Sequence, residues 1–157
     1  MNRSALLSRS IVLAALVAAA EGCASGPRNV MRLDVGRASR PDVVDKVPRI
    51  LDQQGYEVQE RQDTGNVIRY MTSWVTRAPF EDEAARGAQE CRTRLTVEAR
   101  LAAGGTFGVS LSAESTMQRG SFDGAWVNLP PTPMFREHMS AVSEALALEI
   151  DMGVRTR

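Results

Sequence analysis

Several kinds of residue are scarce in this chain, and each shortage narrows what it can do. Histidine occurs once, at position 138, and cysteine twice, at 23 and 91. No Ser or Cys is paired with His138 by any motif, and there is no metal-ligand cluster and no glycine-rich phosphate loop, so no catalytic constellation is legible. The sequence therefore predicts a non-enzymatic protein without a cofactor or bound metal. Aromatic residues make up 5% of the 157 residues, as two Trp, two Tyr and four Phe, so the core must be mainly aliphatic. An excess of one charge is also missing. Nineteen basic residues face nineteen acidic ones, which gives no electrostatic case for nucleic acid or anionic lipid as the main partner. Lys46 is the single lysine, a bias we attribute to a GC-rich genome. Finally, the most apolar run, Ile11 to Ala20, is too short to cross a bilayer core that needs about 20 such residues.

That run has another meaning at the N-terminus. Arg3 and Arg9 precede it as a positive n-region, and its length suits the apolar region of a secretion signal. Ala20-Glu21-Gly22-Cys23 follows and resembles the lipobox of bacterial lipoproteins, in which the thiol of the cysteine is diacylated and the chain is cut before it. Leu at the third position before the cysteine and a small uncharged residue at the second are usual in that motif; Ala20 and Glu21 stand there. The resemblance implies a signal peptide over 1–22, a lipidated Cys23 opening a short tether over 23–28, and a membrane attachment through N-terminal lipid. Ala24 after the cysteine implies, in a Gram-negative cell, sorting to the outer membrane with the domain facing the periplasm. An ordinary A-x-A site, Ala18-Ala19-Ala20, offers a second reading, with cleavage before Glu21 and a soluble periplasmic or secreted product. Under the first reading Cys91 is a lone, buried thiol; under the second a Cys23–Cys91 disulfide becomes possible.

The leader removes Arg3, Arg9 and Glu21, which leaves 17 basic and 18 acidic residues in the mature part. About 134 residues suffice for one domain, here 29–157, that buries roughly two-thirds of its unfolded surface. Met31, Leu33 and Val35 alternate with Arg32 and Asp34 as a short strand ended by Gly36. Ser39 and Asp42 are spaced to cap a helix whose face carries Val43, Val44, Val47, Ile50 and Leu51, with Gly55 as its left-handed terminator. Pro48 lacks the amide that would bond the Val44 carbonyl and should kink or shorten that helix. Tyr56–Arg61 and Asn66–Val75, joined through Gln62-Asp63-Thr64-Gly65, read as a β-hairpin. In its second strand Ile68, Tyr70, Thr72 and Trp74 share one face; Val67, Arg69, Met71, Ser73 and Val75 share the other, and both are partly apolar.

Arg77–Gln89 holds Pro79 and the run Glu81-Asp82-Glu83, expected as a solvated loop with one helical turn at Ala84–Ala88. Three consecutive carboxylates without the spacing of a calcium loop do not converge on one ion. The strongest pattern follows. Cys91, Thr93, Leu95, Val97, Ala99 and Leu101 alternate with Arg92, Arg94, Thr96, Glu98 and Arg100, and after Gly104-Gly105 the residues Phe107, Val109, Leu111 and Ala113 alternate with Gly108, Ser110, Ser112 and Glu114. One face of this hairpin meets water and the other must be covered by helices. Arg92, Arg94 and Arg100 could grip phosphate or carboxylate groups of lipid heads, but with Glu98 interleaved a plain wet face is expected, since three arginines along one strand do not make a site.

Gly120–Pro133 concentrates Phe122, Trp126, Val127 and Leu129 in a stretch punctuated by Gly124, Pro130, Pro131 and Pro133. Such residues either fold back as a lid on the core or are presented to a protein partner, and these four are the candidate contact residues. Thr132-Pro133 opens a last helix with Phe135, Met139, Val142, Leu146 and Ile150 on one face and Gly153 at its end. The expected fold is α+β, two helices packed on one face of an antiparallel sheet of four to five strands, in the order β-α-β-β-β-β-α.

Ile50-Leu51, Gly55-Tyr56, Val58, Asp63, Gly65, Ile68, Thr72 and Trp74 resemble the helix and hairpin of the domains of BamC (NlpB), the lipoprotein component C of the outer-membrane β-barrel assembly machinery. The resemblance covers residues 41–75 and implies a fold of that kind on a lipid anchor. BamC has two such domains and a long partner-binding leader, whereas this chain has one domain and a short tether. The anchor with two helices on a sheet is also similar to the lipopolysaccharide-assembly lipoprotein LptE, with no individual residues in common. The expected function is an accessory or scaffold role in envelope assembly through protein contacts. The alternative is a periplasmic carrier that holds a lipid or other apolar ligand between helices and sheet.

Overall fold

A computed structural model describes residues 29–120 and 124–155, with side chains as far as Ile150. The elements run β1 (Val30–Ala38), α1 (Arg40–Gln53), β2 (Val58–Asp63), β3 (Val67–Thr72), β4 (Val75–Arg77), α2 (Glu81–Ala84), β5 (Glu90–Leu101), β6 (Phe107–Gln118), β7 (Trp126–Asn128) and α3 (Pro133–Arg155). The fold is α+β. Its seven-stranded, wholly antiparallel sheet is ordered β1-β6-β5-β3-β2, with β4 lying on β5 and β7 on β6.

Among the described residues, seven strands and three helices replace the four to five strands and two helices expected, for identifiable reasons. The stretch read as one strand from Asn66 to Val75 is two. β3 pairs with the distal half of β5 from Val67–Arg100 to Met71–Thr96, and β4 resumes at Val75–Thr93. At the interruption the Leu95 amide donates to Thr72 Oγ1 at 3.0 Å, so a side-chain hydroxyl substitutes for a ladder carbonyl. β7 forms inside the segment read as a loop, because β6 runs four residues beyond Glu114 and leaves Thr116–Gln118 to be paired. The sheet is therefore five strands wide, with two of its positions each shared by two short strands.

The long alternation of β5 and β6 becomes burial. Cys91, Thr93, Leu95, Val97 and Ala99 are fully buried, and Phe107, Val109, Leu111 and Ala113 join them from β6. Ile68, Tyr70 and Thr72 take the same inner face, which settles the direction of β3. Val43, Val47, Ile50 and Leu51 of α1 and Phe135, Met139, Val142, Leu146 and Ile150 of α3 complete one cluster with that face. Among the described residues, the buried apolar faces of both long helices lie in this cluster.

Local chemistry explains the element ends. Ser39 caps α1, its Oγ accepting from the Asp42 amide at 3.2 Å while also bonding the Asp42 carboxylate. At the other end the Tyr56 amide reaches the Leu51 carbonyl (2.8 Å) and the Gly55 amide the Asp52 carbonyl (2.9 Å), the double bond pattern that requires Gly55 at φ +81°. Pro48 does not end the helix, which continues to Gln53; tertiary burial of Ile50 and Leu51 outweighs one missing bond. Gly36 does not end β1 either. It sits at a bulge after Asp34, at φ +119°, and pairing continues to Ala38–Phe107. α3 likewise continues past Gly153 to Arg155. Its start is held by Thr132, whose Oγ1 accepts from the Phe135 amide, and by Asp82 of α2, whose Oδ2 accepts from the Met134 amide at 2.9 Å.

Candidate functional site

The face of the sheet opposite α1 and α3 is left over once the core is built. A groove of about 360 Å³ crosses it, lined by Arg32 of β1, Arg69 and Met71 of β3, Arg94, Thr96, Glu98 and Arg100 of β5, and Ser110, Ser112 and Glu114 of β6. Alternation along each strand places these side chains together, since every second residue must point away from the helices. Glu98 receives Arg69 (2.6 Å) and Arg100 (2.6 Å), and Glu114 receives Arg94 (2.6 Å). The bond from Arg69 and that from Arg100 hold the Glu98 carboxyl below its usual range against the opposing effect of partial burial. Arg32 is exposed and makes no ion pair among the described residues.

Arg92 differs from the other arginines of β5. Its guanidinium lies 4.6 Å from the Trp74 ring and 4.3 Å from the Trp126 ring, while Nε donates to Thr116 Oγ1 at 3.0 Å. The Arg94 guanidinium also lies 4.6 Å from the Trp74 ring. The plain wet face expected for Arg92, Arg94 and Arg100 thus describes the exposed, carboxylate-paired Arg100; Arg94 adds an indole contact to its carboxylate pair, and Arg92 has two indole contacts and no ion pair among the described residues. Trp74 is also on a different face from the one its spacing suggested. The break at Ser73–Trp74 interrupts the alternation and turns the indole outward.

The four candidate contact residues separate. Phe122 and Cys23 lie outside the described residues. Trp126 is half-buried against Arg92, Val127 is 46% exposed, and Leu129 is buried in a small second core with Ala88, Cys91 and Met117. One stretch therefore supplies a lid, through Leu129, and a surface, through Trp126 and Val127.

A buried polar cluster under the sheet edge was not legible beforehand. Glu83, expected to be solvated with its acidic neighbours, is fully buried. It takes Arg77 as a two-bond partner (Nη1–Oε2 2.6 Å, Nη2–Oε1 2.7 Å) and accepts the Phe80 amide at 2.8 Å. The helical turn starts at Glu81 and not at Ala84, because Glu83 reaches back to cap it. Burial raises the Glu83 pKa, yet the Arg77 bonds and the Phe80 amide outweigh it and leave the carboxyl below its ordinary value. Burial, together with the Glu83 charge, pushes the Cys91 thiol up to about 12. His138 contacts the Phe80 ring and is shifted down by burial and by the Arg77 charge. A protonated thiol and a histidine packed on a ring are the features of a structural cluster, and among the described residues no group of His, Cys, Asp and Glu is placed to hold a metal ion.

Among the described residues no helix is long and apolar enough to cross a membrane. No protein-family model matches the sequence, and no curated protein matches it.

Proposed function

We propose that this chain is a non-enzymatic lipoprotein, anchored to the outer membrane through acylated Cys23, whose domain docks an envelope protein on its open sheet face as an accessory or scaffold. The observation that carries the reading is the one-sided construction of the fold. Both long helices join the core with the inner face, while the outer face displays a groove of arginine, glutamate, serine and threonine side chains. Such a surface is polar enough to stay soluble alone and rich in the arginine that interfaces favour. The similarity to BamC domains fits an α+β module of this kind and suggests kinship of fold more than of role. The carrier alternative requires space between helices and sheet, where Tyr70, Leu111, Phe135 and Leu146 are packed at 0–1% exposure.

A photoreactive amino acid at Ser112, in the groove, and another at Glu137, exposed on α3, test the reading in native membranes. A discrete protein adduct from position 112 and none from 137 is the expected result. Adducts from neither, or from 137 alone, would overturn docking on the sheet face.

A further inference from the structure

The end of the sheet where the chain enters carries both tryptophans. β1 begins at Val30, opposite Glu114 of β6, and Asn29 and Val30 line a small recess of about 180 Å³ together with Glu114, Ser115 and Asn128. Asn128 belongs to β7, the strand of Trp126, and β7 pairs with the same end of β6. Arg92 and Arg94 lie at the matching end of β5, and Trp74 covers both. Asn29 lies six residue steps after Cys23. Even fully extended they reach about 20 Å, so a lipid on Cys23 would hold this pole of the sheet, and not the opposite one, close to the bilayer.

From this placement we infer that the Trp74–Arg92–Trp126 stack is the surface by which the domain rests on the phospholipid headgroups of its own membrane, with the two indoles at the interface and the Arg92 guanidinium on a phosphate. The inference rests on the lipid-anchor reading above. Both indoles lie within stacking distance of the Arg92 guanidinium, and Thr116 takes Nε. Among the described residues its Nη1 and Nη2 edge makes no hydrogen bond and has no carboxylate partner, and a fork of this kind binds phosphate oxygens in pairs. Indoles with one polar edge are enriched at the membrane–water boundary for the same reason that places them here, half-buried and outward. The surrounding charge is compatible: Arg32, Arg92 and Arg94 stand against Glu90 and Glu114, and Glu114 is already bonded to Arg94. Trp74 and Trp126 are the only tryptophans in the chain, so their fluorescence reports on this stack without background.

The test uses the mature full chain, purified from membranes in detergent and reconstituted into vesicles of phosphatidylethanolamine and phosphatidylglycerol. In one of two parallel preparations the acyl chains are brominated just below the headgroup. Bromine quenches an indole only on close approach, so seating at the interface should lower the emission about twofold or more relative to unbrominated vesicles. Trp74→Phe and Trp126→Phe divide the signal between the two sites, and Arg92→Gln should restore most of the lost emission. Arg94→Gln serves in its place if Arg92→Gln does not fold. A chain that floats with the vesicles, has the intact mass of an acylated species beginning at Cys23, and shows equal emission in both preparations would overturn the inference while leaving the anchor intact. A chain that does not float and begins at Glu21 would remove the anchor, and the inference with it. Unquenched indoles that crosslink to a protein in native membranes would likewise overturn it and assign the stack to protein docking.

Discussion

Replacing Glu83 with alanine should cost this domain more than any other single carboxylate substitution. The side chain is fully buried, and its two oxygens hold the Arg77 guanidinium by two bonds and the Phe80 amide by one. Arg77 is itself only 16% exposed, held between the Phe80 ring at 4.2 Å and the Phe135 ring at 5.5 Å, so it cannot swing into water without opening the core. Removal of one member of a buried pair leaves an uncompensated charge and costs about 3–5 kcal/mol. Global stability for a domain of this size is about 5–15 kcal/mol, so a large fraction would be lost. At roughly 3–5 °C per kcal/mol, Tm should fall by about 10–20 °C in a circular-dichroism melt. Glu83→Gln keeps an acceptor for Phe80 and one for Arg77 and should cost visibly less. The double change Arg77→Leu with Glu83→Leu removes both charges and should recover part of the loss, leaving chiefly the unsatisfied Phe80 amide. A Glu83→Ala cost below about 1 kcal/mol in a urea titration would refute the reasoning, because it would show a pair already solvated.

Other consequences are open to simple measurement. The carboxyls of Glu83, Asp82 and Glu98 are held below their ordinary values in the fold, so the unfolded state binds more protons and their contribution is present above about pH 4–5 and lost as the pH falls through the folded pKa values. Urea midpoints should therefore decline below about pH 4, and Glu83→Gln should flatten the decline; an unchanged slope would contradict the assignment. With its thiol raised to about 12 and fully buried, Cys91 should resist alkylation at pH 8 in native protein and react at once in urea, and rapid native labelling would show that the second core opens. Ser39→Ala should cost about 1 kcal/mol by removing the cap of α1, measured by the same titration. Leu111→Ala, at the fully buried centre of β6, should cost about 2–5 kcal/mol.

Wherever a feature depended on neighbours in the chain, the residues already announced it. The alternation from Cys91 to Ala113 specifies two strands and their buried face, because side chains on a strand point to opposite sides whatever lies beyond. Ser39 and Asp42, Gly55, and Thr132 with Pro133 mark helix ends through bonds that span three to five residues, and each is found in place. Features that depend on distant partners were invisible or misread. Glu83 belongs to an acidic run whose local chemistry says solvent, and only the approach of Arg77 from β4 and of Thr93 and Cys91 from β5 makes its burial tolerable. The division of β3 from β4 requires Thr72 to meet the Leu95 amide across the sheet. β7 exists because β6 has an unpaired end for it, which explains why Trp126 and Leu129, three residues apart, serve opposite sides of the molecule. Short-range hydrogen bonding and side-chain periodicity are properties of the chain and can be read along it. Burial of charge, the contact of Arg92 with two indoles, and the meeting of both tryptophans at the pole where the chain enters arise from contacts between residues far apart in sequence, whose pairing exists only once the sheet has formed.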